Sequence, residues 1–312
     1  MPESKWSQSE PAREAEAVSI HCRDGVELHG HIWNGARSGG NGSVIINPAT
    51  GVAARYYHYY ARFLAEHGFD VLTYDYRGIG LSRPRRLKGS GYRWQDWGEL
   101  DFDAARLFME NKRSGQQLLV VGHSIGGFLP GFSVSTELIT RVLAVGAQYG
   151  HWQDYAATRR WRLFLKWHVV MPATTLLFGY FPGRRFGWLE DLPKDVALDW
   201  AFQRGWKDLA TTEQADVLRH FENFRAPVLS LAVSDDEIAT VQAIRRGFSH
   251  YRNAQVEEVL LRPEDLGFPR IGHFDLFHAR HAAGFWLDTL LWLRDGTNPW
   301  PGKRPPEHLV FA

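Results

Sequence analysis

A serine flanked by glycines, in the run Gly122-His123-Ser124-Ile125-Gly126-Gly127, follows directly on four apolar residues. The apolar run is typical of a buried strand, and the residues after the glycines favour a helix. A serine on so tight a strand-to-helix turn needs small neighbours, because side chains at positions 122 and 126 would collide in the strained loop. The pattern therefore predicts a nucleophile elbow, a turn that projects a reactive Ser124 hydroxyl towards a substrate.

Short apolar runs alternate with amphipathic stretches along most of the chain. The predicted strands are residues 18–21, 27–33, 43–47, 70–74, 118–122, 142–147, 228–233 and 256–261, and the predicted helices are residues 55–67, 101–112, 126–134, 241–251 and 274–294. The first two strands are separated by Asp24-Gly25, a signal for an antiparallel hairpin. The alternation predicts an α/β fold, with a mostly parallel central sheet flanked by helices on both faces.

Residues 150–226 break this rhythm, because they contain many aromatic residues and no convincing strand. We interpret them as an α-helical cap inserted into a core of residues 18–149 and 227–312, with residues 1–17 as a flexible N-terminus. The composition of the cap is compatible with a lid over an acyl-binding pocket. It is also compatible with a helical pair packed on its own domain or on a second copy in a homodimer, and with a surface for lipid contact.

Composition excludes several classes of function. Lys and Arg total 36 against 35 Asp and Glu, so the chain has no basic surplus of the kind that binds nucleic acid. The single cysteine, Cys22, rules out an internal disulfide, and no His or Cys cluster has metal-ligand spacing. Phosphate-binding and dinucleotide-binding loops are absent too, so we expect neither metal nor cofactor.

The polar N-terminus and the charges interrupting residues 161–181 predict a cytoplasmic protein without a transmembrane segment.

Four further motifs accompany the elbow. They are Asn47-Pro48-Ala49-Thr50-Gly51, Tyr74-Asp75-Tyr76-Arg77-Gly78-Ile79-Gly80-Leu81-Ser82, Ser234-Asp235-Asp236-Glu237-Ile238 and Ile271-Gly272-His273-Phe274. With these motifs, nearly the whole chain resembles the α/β-hydrolase superfamily, specifically the bacterial hydrolases related to serine aminopeptidases and monoacylglycerol lipases. The resemblance implies the α/β-hydrolase fold with a helical cap.

The superfamily order of nucleophile, acid and base implies a triad of Ser124, Asp236 and His273. A serine hydroxyl is a weak nucleophile at neutral pH, so a base within hydrogen-bond reach has to take its proton. The family pattern of an acid, any residue and an aliphatic residue favours Asp236 over its neighbour Asp235, which would then be a turn residue. We expect His123, beside the nucleophile, to be structural.

Two backbone N–H groups are expected to bind the oxyanion that forms during attack. One belongs to Ile125, directly after the nucleophile. Many relatives carry His-Gly where this chain has Asn47-Pro48, and proline has no N–H to donate. Ala49 is therefore the expected second donor, with Thr50 as the alternative.

Four residues are expected to line the substrate pocket, because ligands of α/β sheets bind at the carboxyl ends of the strands. They are Thr50, Tyr149, His151 and Trp152.

The sequence thus predicts a serine hydrolase that cleaves a small carboxylic ester through an acyl-enzyme intermediate. The Trp-rich insertion and the near-zero net charge favour a substrate with apolar or aromatic groups. The same triad also serves thioesterases, amidases or peptidases and acyltransferases. A ligand-binding receptor of the same fold with little turnover is the alternative outside enzymes.

Overall fold

A central β-sheet organises the computed structural model, which describes residues 15–35, 40–202 and 215–307. Ten strands are assigned in the described ranges. They are β1 (Glu16–His21), β2 (Glu27–Trp33), β3 (Gly42–Asn47), β4 (Phe69–Tyr74), β5 (Leu118–His123), β6 (Ile139–Val145), β7 (Tyr180–Phe181), β8 (Leu192–Pro193), β9 (Val228–Val233) and β10 (Val256–Leu261).

Eight of these strands form the sheet, in the order β1-β2-β4-β3-β5-β6-β9-β10. The pairs β1 with β2 and β2 with β4 are antiparallel, and the other five pairs are parallel. The predicted α/β-hydrolase fold is confirmed, with shifts of a few residues at some strand ends. Strand β1 begins at Glu16, within the segment expected to be a flexible N-terminus, and residues 1–14 of that segment lie outside the described residues.

The central strands β3, β5 and β9 are buried along their whole length. Their runs of Val, Ile and Leu suit this position, because a strand covered by helices on both faces has no solvent side. The parallel strands bring their carboxyl ends to one edge of the sheet. The elbow after β5 and the loops after β3, β6 and β9 therefore lie close together.

Helices flank the sheet and fill the interval between β6 and β9. They are α1 (His58–Glu66), α2 (Trp94–Asp96), α3 (Asp103–Lys112), α4 (Ile125–Phe128), α5 (Arg160–Phe164), α6 (Met171–Phe178), α7 (Gly183–Phe186), α8 (Lys194–Phe202), α9 (Ala215–Asn223), α10 (Val241–Phe248) and α11 (Phe285–Leu290). Three π-helical segments continue them: Trp97–Phe102 joins α2 to α3, Leu165–Val170 joins α5 to α6, and Leu291–Asp295 extends α11.

The helix predicted for residues 274–294 begins only at Phe285, after two short 3₁₀ turns. The carbonyl of His273 accepts a hydrogen bond from Nε2 of His123 at 2.8 Å, and the carbonyl of Phe274 accepts one from Oη of Tyr56 at 2.8 Å. The His273 carbonyl is thus bonded to a donor 150 residues away, and the Phe274 carbonyl accepts from the N–H of Phe277, at 3.5 Å in a 3₁₀ turn, as well as from Tyr56. The helix predicted for residues 126–134 is also shorter, since α4 passes into a 3₁₀ turn at Leu129.

We call residues 150–226 the cap segment. Its described part contains several helices, and Tyr180 and Phe181 pair with Pro193 and Leu192 in a small antiparallel hairpin that the sequence did not predict. Gly179 ends α6 in the left-handed conformation, with φ of +78°, and turns the chain into this hairpin.

Three arginines of the core pair with three carboxylates of the cap segment. The pairs are Arg55–Glu190 at 2.8 Å, Arg83–Asp191 at 2.6 Å and Arg93–Asp199 at 3.0 Å. Each arginine is partly exposed, so each pair contributes little on its own, typically less than about 1 kcal/mol.

The continuous helix from α5 to α6 is apolar on two faces. Its inner face buries Leu163, Trp167 and Met171 in the core. Its outer face exposes a stripe of large apolar side chains, namely Trp161, Leu165, Val169, Leu176 and Leu177. Among the described helices, none is both long enough and apolar enough to cross a membrane.

Candidate active site

Ser124 stands on a strained turn between β5 and α4. Its φ of 54° and ψ of −126° make it the one non-glycine residue with positive φ in the described ranges. Such a conformation costs on the order of 1–3 kcal/mol and persists where the surroundings enforce it. A Cβ on Gly122 would lie 2.3 Å from the Cα of Gly127, and one on Gly126 would lie 2.2 Å from the carbonyl oxygen of Asn47. The glycines therefore permit the close packing of the turn.

His273 and Asp236 form a short, buried polar contact near this turn. Nδ1 of His273 donates to Oδ2 of Asp236 at 2.6 Å. The other carboxylate oxygen of Asp236 accepts from the N–H groups of Ile238 and Ala239, both at 2.8 Å. Burial raises the pKa of Asp236, but the charge of His273 and these hydrogen bonds outweigh it, so the net pKa is lowered. Asp236 is thus a carboxylate that orients the imidazole.

Asp235 has a different role. Its two carboxylate oxygens accept from the N–H groups of Ile271 and Gly272, at 2.9 and 2.8 Å. It therefore fixes the loop that carries His273, without touching the ring. The geometry separates the two neighbouring aspartates that sequence reasoning could only rank.

The end of β6 contacts both Ser124 and His273. The carbonyl of Val145 accepts from the N–H of Ser124 at 2.9 Å. The next residue, Gly146, has φ of +57°, and a Cβ there would lie 3.3 Å from Cε1 of His273. Both residues of the expected pair are described, and no hydrogen bond joins Oγ of Ser124 to the His273 ring. Catalytic hydrogen bonds are often long or misaligned before substrate binds.

A chain of hydrogen bonds connects four segments around the site. The N–H of Ala49 donates to Oη of Tyr57 at 2.9 Å, and Oη lies 2.8 Å from Nδ1 of His123. Nε2 of His123 lies 2.8 Å from the carbonyl of His273. A carbonyl only accepts, so Nε2 carries the proton and Nδ1 accepts from Tyr57. Burial lowers the pKa of His123 to about 3, which keeps the ring neutral and structural.

This series of hydrogen bonds includes Ala49, the residue expected to be the second oxyanion donor. The N–H of Ala49 is already bonded to Tyr57. The N–H of Thr50, by contrast, makes no hydrogen bond with any of the described residues, and Thr50 lines the pocket over Ser124. The N–H of Ile125 is at the first position of α4, where no intrahelical acceptor is available. Thr50, the alternative expected from sequence, therefore fits better than Ala49.

The pocket over Ser124 is narrow, with about 20 Å³ of free space, room for roughly one water molecule. Two of the four residues expected to line it do so, Thr50 and Tyr149. Sequence reasoning missed five others, although the strand-end argument that selected Tyr149 applies equally to its neighbours. The missed residues are Trp94, Gln148, Gly150, Val196 and Trp200.

The remaining two expected residues, His151 and Trp152, line a separate cavity together with Phe164 and His168. The indole of Trp200 packs directly against Gly150, and a Cβ on Gly150 would lie 2.5 Å from its Nε1. The Trp200 indole thus lies against the backbone at the point where the chain leaves the lining of the Ser124 pocket. This position separates His151 and Trp152 from the Ser124 pocket.

Comparison with known proteins identifies the family. Residues 41–261 match a family model described as serine aminopeptidase, S33. The chain belongs to the serine aminopeptidase S33 family. The matched residues of this S33 protein include Ser124 and Asp236, while His273 follows the end of the match. The predicted relationship to serine aminopeptidases is confirmed, and the protein is a hydrolase of that family.

Solved structures share the fold at low sequence identity. A soluble variant of monoglyceride lipase from Saccharomyces cerevisiae, in complex with a substrate analogue, has a TM-score of 0.66 at 16% identity, covering 94% of this chain and 98% of that chain. An esterase of Pyrococcus furiosus has a TM-score of 0.58 at 17% identity, and the match covers 90% of this chain and 91% of that chain. The esterase domain of a Rhodothermus marinus protein has a TM-score of 0.54 at 15% identity, and the match covers 90% of this chain and 98% of that chain. The curated proteins contain no match to the S33 protein.

Proposed function

We propose that the protein is a serine esterase that hydrolyses a carboxylic ester through an acyl-enzyme intermediate. The observation that carries this proposal is the 2.6 Å bond between His273 and Asp236, beside the strained Ser124 turn. The three residues occur in the chain order of α/β-hydrolase triads. The esterases and the monoglyceride lipase with similar folds support an ester over other acyl substrates.

The proposed reaction has two halves. In the first, Nε2 of His273 takes the proton of Ser124 as Oγ attacks the ester carbonyl, and then gives it to the departing alcohol. In the second, His273 activates a water molecule that releases the acid and returns the proton to Oγ. Asp236 stabilises the imidazolium in both halves, while the N–H groups of Ile125 and Thr50 donate to the oxyanion.

The pocket walls favour an uncharged, apolar acyl or aromatic group. Trp94, Val196 and Trp200 contribute apolar surface directly over the nucleophile. The pocket has room for roughly one water molecule, so we expect Val196 and Trp200 of the cap segment to shift when a longer acyl group enters. The cap segment is therefore proposed to act as a lid.

The test is hydrolysis of p-nitrophenyl esters from acetate to palmitate by the native protein, Ser124→Ala and His273→Ala. We expect kcat to fall by roughly 10³-fold or more in both variants, because triad members act as a unit. Ser19→Ala and His21→Ala remove the same side chains from the exposed edge strand β1 and should leave kcat unchanged.

Labelling by a fluorophosphonate probe tests the nucleophile independently of substrate choice. Native protein should be labelled at Ser124, and Ser124→Ala should not. Activity retained in Ser124→Ala would contradict the proposal. If the protein is labelled but hydrolyses no ester, the substrate would be an amide or a thioester instead of an ester. Failure of both assays would favour a ligand-binding receptor.

A further inference from the structure

The side chain of Gln148 points at the nucleophile. Nε2 of Gln148 lies 3.3 Å from Oγ of Ser124, and the residue is only 3% exposed. Gln148 also lines the pocket in which the substrate carbonyl would lie. A buried amide donor directed at the reacting oxygen is costly to leave unpaired, so its direction calls for a functional explanation.

A second contact fixes which end of the amide faces Ser124. The backbone N–H of Gly150 donates to Oε1 of Gln148. Since an N–H donates and the amide oxygen accepts, the NH₂ group must be the end that faces the nucleophile. The donor is therefore aimed into the pocket by the backbone and does not depend on a free choice of amide rotamer.

Gly150 is itself held in place. Its φ of +81° suits glycine, and a Cβ there would lie 2.5 Å from Nε1 of Trp200. The loop that carries the amide is thus clamped between the end of β6 and the indole wall. Gln148 therefore presents a preorganised donor, which costs no rearrangement when charge develops.

We propose that Gln148 is a third oxyanion donor, a catalytic side chain that acts beside the N–H groups of Ile125 and Thr50. Before reaction its NH₂ group donates to Oγ of Ser124. As Oγ forms its bond to the carbonyl carbon, the carbonyl oxygen gains negative charge about one atom further along, and the NH₂ group donates to that oxygen. Gln148 gives up no proton, so the proton transfers remain those of His273. The inference rests on the proposed esterase function.

The test compares Gln148→Met, which keeps the length but lacks both the donor and the acceptor for the Gly150 N–H, with Gln148→Glu, which keeps that acceptor and replaces the donor by a second acceptor. We expect kcat for the best p-nitrophenyl ester to fall about 10- to 100-fold in Gln148→Met, with KM within about threefold. That loss is smaller than the 10²- to 10³-fold known for a principal oxyanion donor, because two backbone donors remain. Gln148→Glu should lose more, because a negative charge would face the oxyanion.

Two readouts separate donation from packing. The inhibition constant of a trifluoromethyl ketone, which forms an oxyanion adduct with the serine, should rise in proportion to the loss in kcat/KM. The midpoint of thermal unfolding should fall by no more than a few degrees in Gln148→Met, which also removes the acceptor of the Gly150 N–H. Gln153→Met, on the exposed turn that follows, is the matched control and should change neither quantity.

A kcat for Gln148→Met within twofold of native would overturn the inference while leaving the esterase proposal intact. An unchanged ketone inhibition constant with a lowered unfolding midpoint would also overturn it, because the residue would then only support packing. If Gln148→Met does not fold, the isosteric Gln148→Glu decides by the same readouts. Native protein that neither labels at Ser124 nor turns over any ester would refute the esterase function, and the inference with it.

Discussion

The two walls of the Ser124 pocket are built differently. On the sheet side, Ser124, Ile125 and Gln148 follow strand ends and are held by hydrogen bonds to backbone groups. On the cap side, Val196 and Trp200 belong to α8 and are held by packing. We infer that the difference separates two tasks: the sheet wall would hold the proposed reacting groups in position, while the cap wall would move to admit substrate.

Packing in the cap wall is aromatic. The Trp200 ring stacks on Trp167 at 5.1 Å between centroids, and Trp167 meets Trp188 edge to face at 5.7 Å. The ammonium of Lys166 lies 4.1 Å from the Trp167 centroid and 4.4 Å from that of Trp188. Such contacts fill space well but impose less direction than a backbone hydrogen bond. Changes here should therefore affect substrate choice more than chemistry.

The largest effect should come from the sheet side. Replacing Asp236 by Asn should lower kcat roughly 10⁴-fold, because the imidazole loses the carboxylate that sets its tautomer and stabilises its charge. Asp235→Asn, one position away, leaves that bond intact and loosens only the loop at Ile271 and Gly272. We expect it to cost no more than about 100-fold, with a lower thermal unfolding midpoint. Steady-state hydrolysis of p-nitrophenyl esters measures both, and equal losses would contradict the assignment.

The pH dependence of stability should report the buried ring of His123. Its pKa is lowered to about 3, whereas an unfolded histidine titrates near 6.5. Between these values the unfolded chain binds a proton that the folded chain excludes, so stability falls as pH falls. His123 alone should lower the free energy of unfolding by about 2 kcal/mol from pH 7.5 to pH 5.

Urea unfolding at the two pH values measures this loss. His58 and His250, whose pKa values burial lowers to about 4, add to it with the same sign. The matched comparison is His123→Asn. In this variant about one proton fewer should be taken up on unfolding, so the free energy of unfolding should depend less steeply on pH. An unchanged slope in that variant would show that His123 is not the titrating group.

Trp200→Ala tests the cap side of the pocket, where we expect a change in substrate preference and not in the reactivity of Ser124. Removing the indole enlarges the pocket over Ser124, so the preferred p-nitrophenyl ester should become longer and kcat/KM for the original best ester should fall about tenfold. A small fluorophosphonate should still label Ser124 within about threefold of the native rate. Trp188→Ala alters the same aromatic cluster but not the pocket lining, and should leave the chain-length preference unchanged. Loss of labelling in Trp200→Ala would contradict the division between the walls.

The smallest effect should come from the ion pairs between core and cap segment. Asp199→Asn removes the partner of Arg93, which is 40% exposed. We expect the free energy of unfolding to change by less than about 1 kcal/mol, and fluorophosphonate labelling to accelerate by less than about threefold. Asp295→Asn breaks an exposed pair far from the cap segment and serves as control. A larger acceleration would make this ion pair, not packing, the main restraint on the lid.

Local signals made the fold predictable. Short apolar runs indicate buried strands. The elbow needs glycines at positions 122 and 126, because their missing side chains leave room for Gly127 and Asn47. After His273 the chain forms two 3₁₀ turns before the helix begins, and the carbonyls of His273 and Phe274 accept hydrogen bonds from His123 and Tyr56, which are distant in sequence. No local pattern contains that information.

Side-chain direction was the second limit. The sequence could place Gln148, Tyr149 and His151 after the end of β6, but not decide which face the pocket. Gly150 at φ of +81° and the Trp200 indole divide these neighbours between two cavities. Likewise, the sequence could favour Asp236 over Asp235 only by family pattern, whereas the structure gives each aspartate its own partners.

The hydrogen-bond chain through Ala49, Tyr57, His123 and His273 joins segments that are far apart in sequence. A fluctuation that opens one link therefore releases its neighbours as well. The Ala49 amide should exchange its hydrogen with solvent only in those openings, in step with the loop that carries His273. We therefore expect the site to open as one cooperative unit, so that hydrogen exchange of the Ala49 amide would also report on the loop that carries His273.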